Sequence, residues 1–177
     1  MAAQDGTRTD GATECGADPG RPLVLQPDDG VSFWQPVPAN GYVINKLMPY
    51  NWDGDFSMGF QVVAPHSYIR KHIHDRNREV LFVWGGRGKA VVEGAEYPMQ
   101  VGTLIALPMG VEHMFVNDGD EELKLLWLLA PGGLGEFFEM IGRPRRAGDP
   151  APAPFPRPHN VLEIEAATVF KPGSTAP

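Results

Sequence analysis

The sequence predicts an all-β fold, a small antiparallel barrel or sandwich with a short C-terminal helix and an extended proline-rich tail. Three observations predict it. Glycine (21) and proline (18) together exceed a fifth of the 177 residues, a composition of many turns and short strands. Segments rich in β-branched and aromatic residues recur about every 8–12 residues between Gly, Asp and Pro punctuation. No 3.6-residue apolar period runs through residues 79–130. A hydrophobic fraction of 42% with 9 Phe and 4 Trp excludes a globally disordered chain, and the length suits one domain.

The elements follow in order. Residues 1–20 are small, polar and glycine-rich, and read as a disordered tail. Extended segments then begin at Arg21: RPLVLQ, VSFWQPV, GYVINKLMPY and FSMGFQVVA, parted by PDDG and a loop around NWDGD. Beyond them the spacing is regular. EVLFVW, KAVVE, YPMQV, TLIAL, EHMFVN and ELKLLWLLA alternate with GGRG, GAE, Gly102, PMG and DGDEE. These strands place a barrel at 21–130, followed by an extension at 131–177. In that extension, GGLGEFFEMIGR carries Leu134, Phe137, Phe138 and Ile141 at helical spacing and predicts a short helix. Residues 143–158 are proline-rich and predict an extended wrap over the surface. VLEIEAATVF suits either a short helix or a strand.

Charge and composition bound the function. A net charge of -7 offers no basic face for a phosphate backbone, so no nucleic-acid partner is expected. The single cysteine, Cys15, excludes a disulfide framework and a cysteine-based zinc site. The N-terminus lacks the apolar run of a signal peptide, and no stretch of 18 apolar residues follows. The expectation is a soluble cytoplasmic protein with no membrane partner.

Chemistry concentrates in KHIHDRNRE at 71–79, which holds two of the five histidines. In an extended chain His72 and His74 point to one face and Ile73 to the other. DRNR makes the turn, and Glu79 opens the next strand on a face shared with Leu81 and Val83. His113, in VEHMFVN, shares a face with Val111, Phe115 and Asn117. Taken singly, each residue suits a plainer role: a wet strand face, a surface ion pair with Arg76 or Arg78, an interior histidine. Together, three imidazoles and one carboxylate suit one divalent transition metal per chain.

The same residues resemble the two motifs of the cupin superfamily. The first runs Gly, five residues, His-x-His, three or four residues, Glu, six residues, Gly, and is matched at His72, His74, Glu79 and Gly86. His66 replaces its opening glycine, and is read as a strand-end or solvent residue, or else a partner of a ligand. The second motif is matched at Gly102, Pro108, Gly110, His113 and Asn117. The resemblance implies a jelly-roll β-barrel with a metal held by His72, His74, Glu79 and His113. Fe(II) is the leading choice, with Mn, Ni, Co, Cu or Zn as alternatives.

Fold alone does not fix reaction. The expected pocket lining is apolar and aromatic: Met48, Phe60, Leu81, Val83, Phe115, Trp127 and Phe137. Such a lining favours a small aromatic or polyketide-like substrate over a sugar. PGGLGEFFEMIG is similar to the corresponding segment of single-domain quercetin-dioxygenase-like cupins. The leading expectation is a metal-dependent dioxygenase in which Glu79 is the base for an enolisable or flavonol-like substrate. The second is an oxygen-independent isomerase, cyclase or lyase, with Glu79 or Tyr68 moving the proton and Arg70 meeting a substrate carboxylate. The third is a small-molecule-binding module without catalysis. Val80, Phe82 and Trp84 face away from Glu79, and a strand apolar on both faces must be covered on both, so a homodimer is expected.

Overall fold

The computed structural model describes residues 21–174, so the tail expected at 1–20 lies outside the described residues. In chain order the strands begin with β1 (Val31–Trp34), β2 (Tyr42–Leu47), β3 (Ser57–Val63) and β4 (Ser67–Ile73). β5 (Arg78–Gly85), β6 (Arg87–Val92), β7 (Ala95–Gln100) and β8 (Leu104–Leu107) follow. After β9 (His113–Asn117) and β10 (Leu123–Ala130) come α1 (Leu134–Ile141), β11 (Arg143–Arg145), α2 (Val161–Ala167) and β12 (Lys171–Pro172). The strands pair antiparallel in two sheets, ordered β11-β1-β2-β3-β10-β5-β8 and β12-β4-β9-β6-β7. This is the all-β architecture that the strand spacing predicts, in the two-sheet jelly-roll form that the resemblance implies.

Side-chain alternation sets the inner faces. In β10, Leu123, Leu125, Trp127 and Leu129 are buried between partly exposed Lys124, Leu126 and Leu128. Its neighbour β5 turns Glu79, Leu81 and Val83 inward and leaves Phe82 and Trp84 exposed on the outer face. Each fully buried leucine or valine contributes about 1.5–3 kcal/mol, so a one-residue slip in register would be costly. The helix α1 closes the core with Leu134, Phe137, Phe138 and Ile141, and Phe138 lies 5.6 Å from the Trp127 ring.

Two segments depart from the expectation. RPLVLQ forms no strand. Leu23 and Leu25 instead cover a hollow on the outer face of the seven-stranded sheet, against Phe60, Phe82 and Trp84. Lys46 Nζ pins that segment by donating to the carbonyls of Gln26, Pro27 and Asp29 at 2.7, 2.8 and 2.5 Å. The proline-rich stretch is extended, but it is also built into the fold. β11 pairs with β1, Phe155 is buried under Arg143, and Val37 N donates to the Phe155 carbonyl at 2.9 Å. VLEIEAATVF resolves into a helix followed by Phe170 and the short strand β12, which pairs with β4.

Motif residues that bind nothing hold the turns. Asn117 Nδ2 reaches the carbonyls of Val63, Ala64 and Glu121 at 2.8–2.9 Å, and its Oδ1 accepts from Gly119 N. The buried amide therefore ties the β3–β4 turn to the β9–β10 turn. Asn117→Ala is expected to destabilise the protein by about 2–3 kcal/mol, because several buried carbonyls lose their donor. A urea midpoint unchanged from the native chain would contradict this.

His66 sits where the motif has glycine, and the backbone explains the motif's preference. Its φ is 53°, in the left-handed region that side chains disfavour. The ring is exposed and meets Asp120 at 3.0 Å, so it partners no ligand. His66→Gly is expected to leave stability within about 1 kcal/mol, since relief of the left-handed backbone offsets the added chain entropy. Thermal melts measure this, and a loss of several degrees would contradict it.

Candidate metal centre

The centre lies between the two sheets. β4 carries His72 and is followed at once by His74, while β9 opens with His113, which is directly paired with His72. Glu79 comes from β5 in the opposite sheet. A register shift between Ile69 and His72 marks a bulge in β4, so Ile69 and His72, three residues apart, both turn inward. The Pro-x-Gly turn is locked onto the same spot, because Gly110 N donates to the His74 carbonyl at 2.9 Å.

All four side chains are buried, and one ligand atom from each lies within 4.8 Å of the others. Ring centroids of His72 and His113 are 4.1 Å apart, and His74 lies 5.0 and 5.5 Å from them. Glu79 Oε2 is 3.1 Å from His113 Nε2 and 3.6 Å from His74 Nε2.

Hydrogen bonding assigns the tautomers. Each Nδ1 donates to a backbone carbonyl: His72 to Arg70 at 2.8 Å, His74 to Val169 at 2.7 Å, His113 to Val111 at 2.9 Å. With the proton on Nδ1, each Nε2 presents a lone pair to the centre. The Nε2 atoms of His74 and His113 and Oε2 of Glu79 are buried with no hydrogen-bond partner. Burial leaves such a set costly unless a cation fills it. Three imidazole lone pairs and one carboxylate fit a divalent transition ion, and the donor set does not single out one metal.

Protonation agrees. Burial, reinforced by His113 and His74, pushes the His72 imidazole well below its usual value and keeps it neutral. Burial alone would raise the Glu79 carboxyl, but while no cation fills the set a proton shared from the facing His113, with the His74 and His113 charges, outweighs it and holds the group below the usual carboxylate range. A sign follows for the metal-free protein. His72 has a lower value folded than the 6.5 of a free imidazole, so on acidification the unfolded chain takes up its proton first. Stability is full above about pH 6.5 and falls below it. Urea midpoints at about pH 7 and pH 5.5 should differ in that sense, and equal midpoints would contradict it.

A cleft of about 540 Å³, counting its open mouth, leads to His72 and Glu79. Its walls include Leu81, Phe115, Leu134, Phe137, Phe138 and Phe170. Of the residues expected to line a pocket, Leu81, Phe115 and Phe137 border this cleft. Four others do not. Met48 is buried against a separate hollow beside α1, and Phe60 lies on the outer face of the larger sheet. Val83 and Trp127 face inward but are packed within the core, away from the cleft. Strand parity told inside from outside, but not which inward residues border empty space. The bulge also breaks the alternation that would put Tyr68 and Arg70 on the face of His72. Tyr68 is 41% exposed and reaches the cleft only at its mouth, while Arg70 lines it as a half-buried rim residue.

Residues near the C-terminus complete the site unannounced. Phe170 stacks on His72 at 3.9 Å and 9°, and on Phe137 at 4.3 Å and 3°. Val169 supplies the carbonyl that fixes His74. Buried Glu165 pairs with both Arg70 and Arg157. The apolar run in VLEIEAATVF signals burial, but nothing in it names the histidines as its partner.

Comparison with known proteins places this architecture. Residues 59–129 match the Cupin domain family. It is similar to polyketide synthase CurC of Streptomyces cyaneus, with 30% identity over 74 residues, 42% of this chain and 48% of that protein. It is also similar to protein SchB of Streptomyces halstedii, with 32% identity over 74 residues, 42% of this chain and 54% of that protein. The matched segment thus spans about half the length of these curated relatives. Among solved structures, a predicted oxalate decarboxylase from Thermotoga maritima superposes with a TM-score of 0.57 at 17% identity, over 62% of this chain and 99% of that one. That likeness concerns the fold alone. No helix among the described residues is long and apolar enough to cross a membrane.

Proposed function

We propose that the protein is a metal-dependent cupin enzyme acting on a small aromatic or polyketide-like, enolisable substrate, and that the reaction is a dioxygenation. The observation that carries this reading is the buried three-His, one-Glu cluster at the end of an aromatic-walled cleft. The relative named as a polyketide synthase supports the substrate class.

His72, His74, Glu79 and His113 would hold the ion, which supplies Lewis acidity and, if redox-active, a place to activate dioxygen. Phe115, Phe137 and Phe170 line the approach and favour a planar molecule lying against them. Glu79 is held below the usual carboxylate range, and a Glu79 loosened from the ion would be the base that accepts the enol or α-carbon proton of a substrate placed beside it. The surrounding apolar walls keep bulk water from competing for that proton.

A second reading, an oxygen-independent isomerase, cyclase or lyase, draws on the same buried base and on Arg70 at the rim. The two readings part under strict anaerobiosis. Metal-loaded protein is mixed with a panel of flavonols and β-diketones without oxygen, and oxygen is then admitted. Metal-dependent oxygen uptake supports the dioxygenase, whereas turnover before admission supports the second reading. Binding without turnover in either phase would leave a binding module.

We also propose that the outer face around Phe82, Trp84 and Leu104 pairs with a second copy of the chain, since these residues are exposed and contiguous on β5 and β8. Sedimentation should show a dimer; a 19.3 kDa species alone would overturn this.

A further inference from the structure

At the mouth of the metal cleft lies a charge cluster of which the readings above use only Arg70. Arg70, from the bulged stretch of β4, and Arg157, from the proline-rich segment, both place Nη2 on the same oxygen of Glu165. Glu165 is fully buried on α2, and its other oxygen has no partner. Two guanidinium groups thus share one carboxylate, and the cluster carries an uncompensated positive charge. Both arginines line the cleft that holds His72 and Glu79. Among the residues lining it, Glu79 is the only carboxylate. Arg70 Cζ also lies 5.2 Å from the Phe170 ring, whose face stacks on His72. A single aromatic ring therefore separates the guanidinium groups from the imidazoles.

A buried ion pair with a second, unmatched cation is costly to keep unless it meets an anion. Burial, and then the neighbouring Arg70, push the Arg157 guanidinium down to about 10, which still leaves it charged at neutral pH. Each guanidinium has five N–H donors, so engaging Glu165 leaves donors free for a planar carboxylate.

We propose that Arg70 and Arg157, held together on Glu165, form an anion subsite that takes the carboxylate of a small aromatic or enolisable acid at the mouth of the cleft. The proposal rests on the substrate class proposed above and narrows it to acids. It requires no particular reaction.

The test uses the full chain loaded with zinc, which does not activate dioxygen, and reads binding by calorimetry with benzoate and its neutral isostere benzamide. Benzoate should bind at least tenfold more tightly. Arg157→Gln should reduce that ratio to near one, and Arg157→Lys should retain part of it. Because Arg157→Gln leaves Glu165 less compensated, Arg157→Gln combined with Glu165→Gln serves as a variant without the stranded charge, and its ratio should also be near one. A ratio near one in the native chain, or binding of neither probe, overturns the proposal. So does a ratio that survives both variants, which would put the carboxylate on the metal. Failure of oxygen uptake in the enol panel would leave this result untouched, so the two readings fall separately.

Discussion

His113→Ala protein should bind zinc at least a hundredfold more weakly than the native chain, measured by competition with a chromophoric chelator. Binding free energies of about 10–16 kcal/mol for four-ligand zinc sites make one ligand worth about 3 kcal/mol, or more than two powers of ten. The site gives little room for a substitute. His113 is 1% exposed, its Nδ1 is fixed on Val111, and its Nε2 is the nearest imidazole nitrogen to Glu79. Removing the ring also takes away a group that holds the Glu79 carboxyl down, so the vacated pocket becomes harder to keep ionised. An affinity within threefold of the native chain would show that the cluster is a polar core and no metal centre.

Phe170→Ala should lower stability by about 3 kcal/mol, and the melting temperature by roughly 10 °C for a chain of this size. The ring is 4% exposed and fills the space between His72 and Phe137 in near-parallel stacks. Truncation opens a cavity and frees the neighbouring Val169 carbonyl that fixes the His74 tautomer. Metal affinity should therefore fall as well, by about ten- to a hundredfold, the usual effect of loosening a group that orients a ligand. Loss of stability with unchanged affinity would mean that Phe170 is only core. Loss of both marks the C-terminal segment as part of the centre.

The four-residue cluster was legible in the sequence because such a site needs rare residues at fixed offsets. His72, His74, Glu79 and His113 come together through strand alternation and two short turns, all local geometry. The strand pattern from β5 to β10 was legible for the same reason, with Gly and Asp marking each turn. What stayed hidden depends on long-range placement. Whether Val83 or Leu81 borders the cleft is decided by tertiary packing, which period 2 does not encode. The bulge at Arg70 left no mark on the sequence, yet it moved Tyr68 to the mouth. The contribution of Phe170 depends on a chain return spanning 95 residues between His74 and Val169. RPLVLQ has strand-like alternation, but it covers an apolar sheet face without joining a ladder.

The most direct test of the metal centre is elemental analysis of protein purified without chelators or affinity-column metals, beside a His72→Ala control. Close to one equivalent of a divalent transition metal is expected per native chain, and almost none in the control. Native protein free of metal, or a control that carries as much, would contradict it.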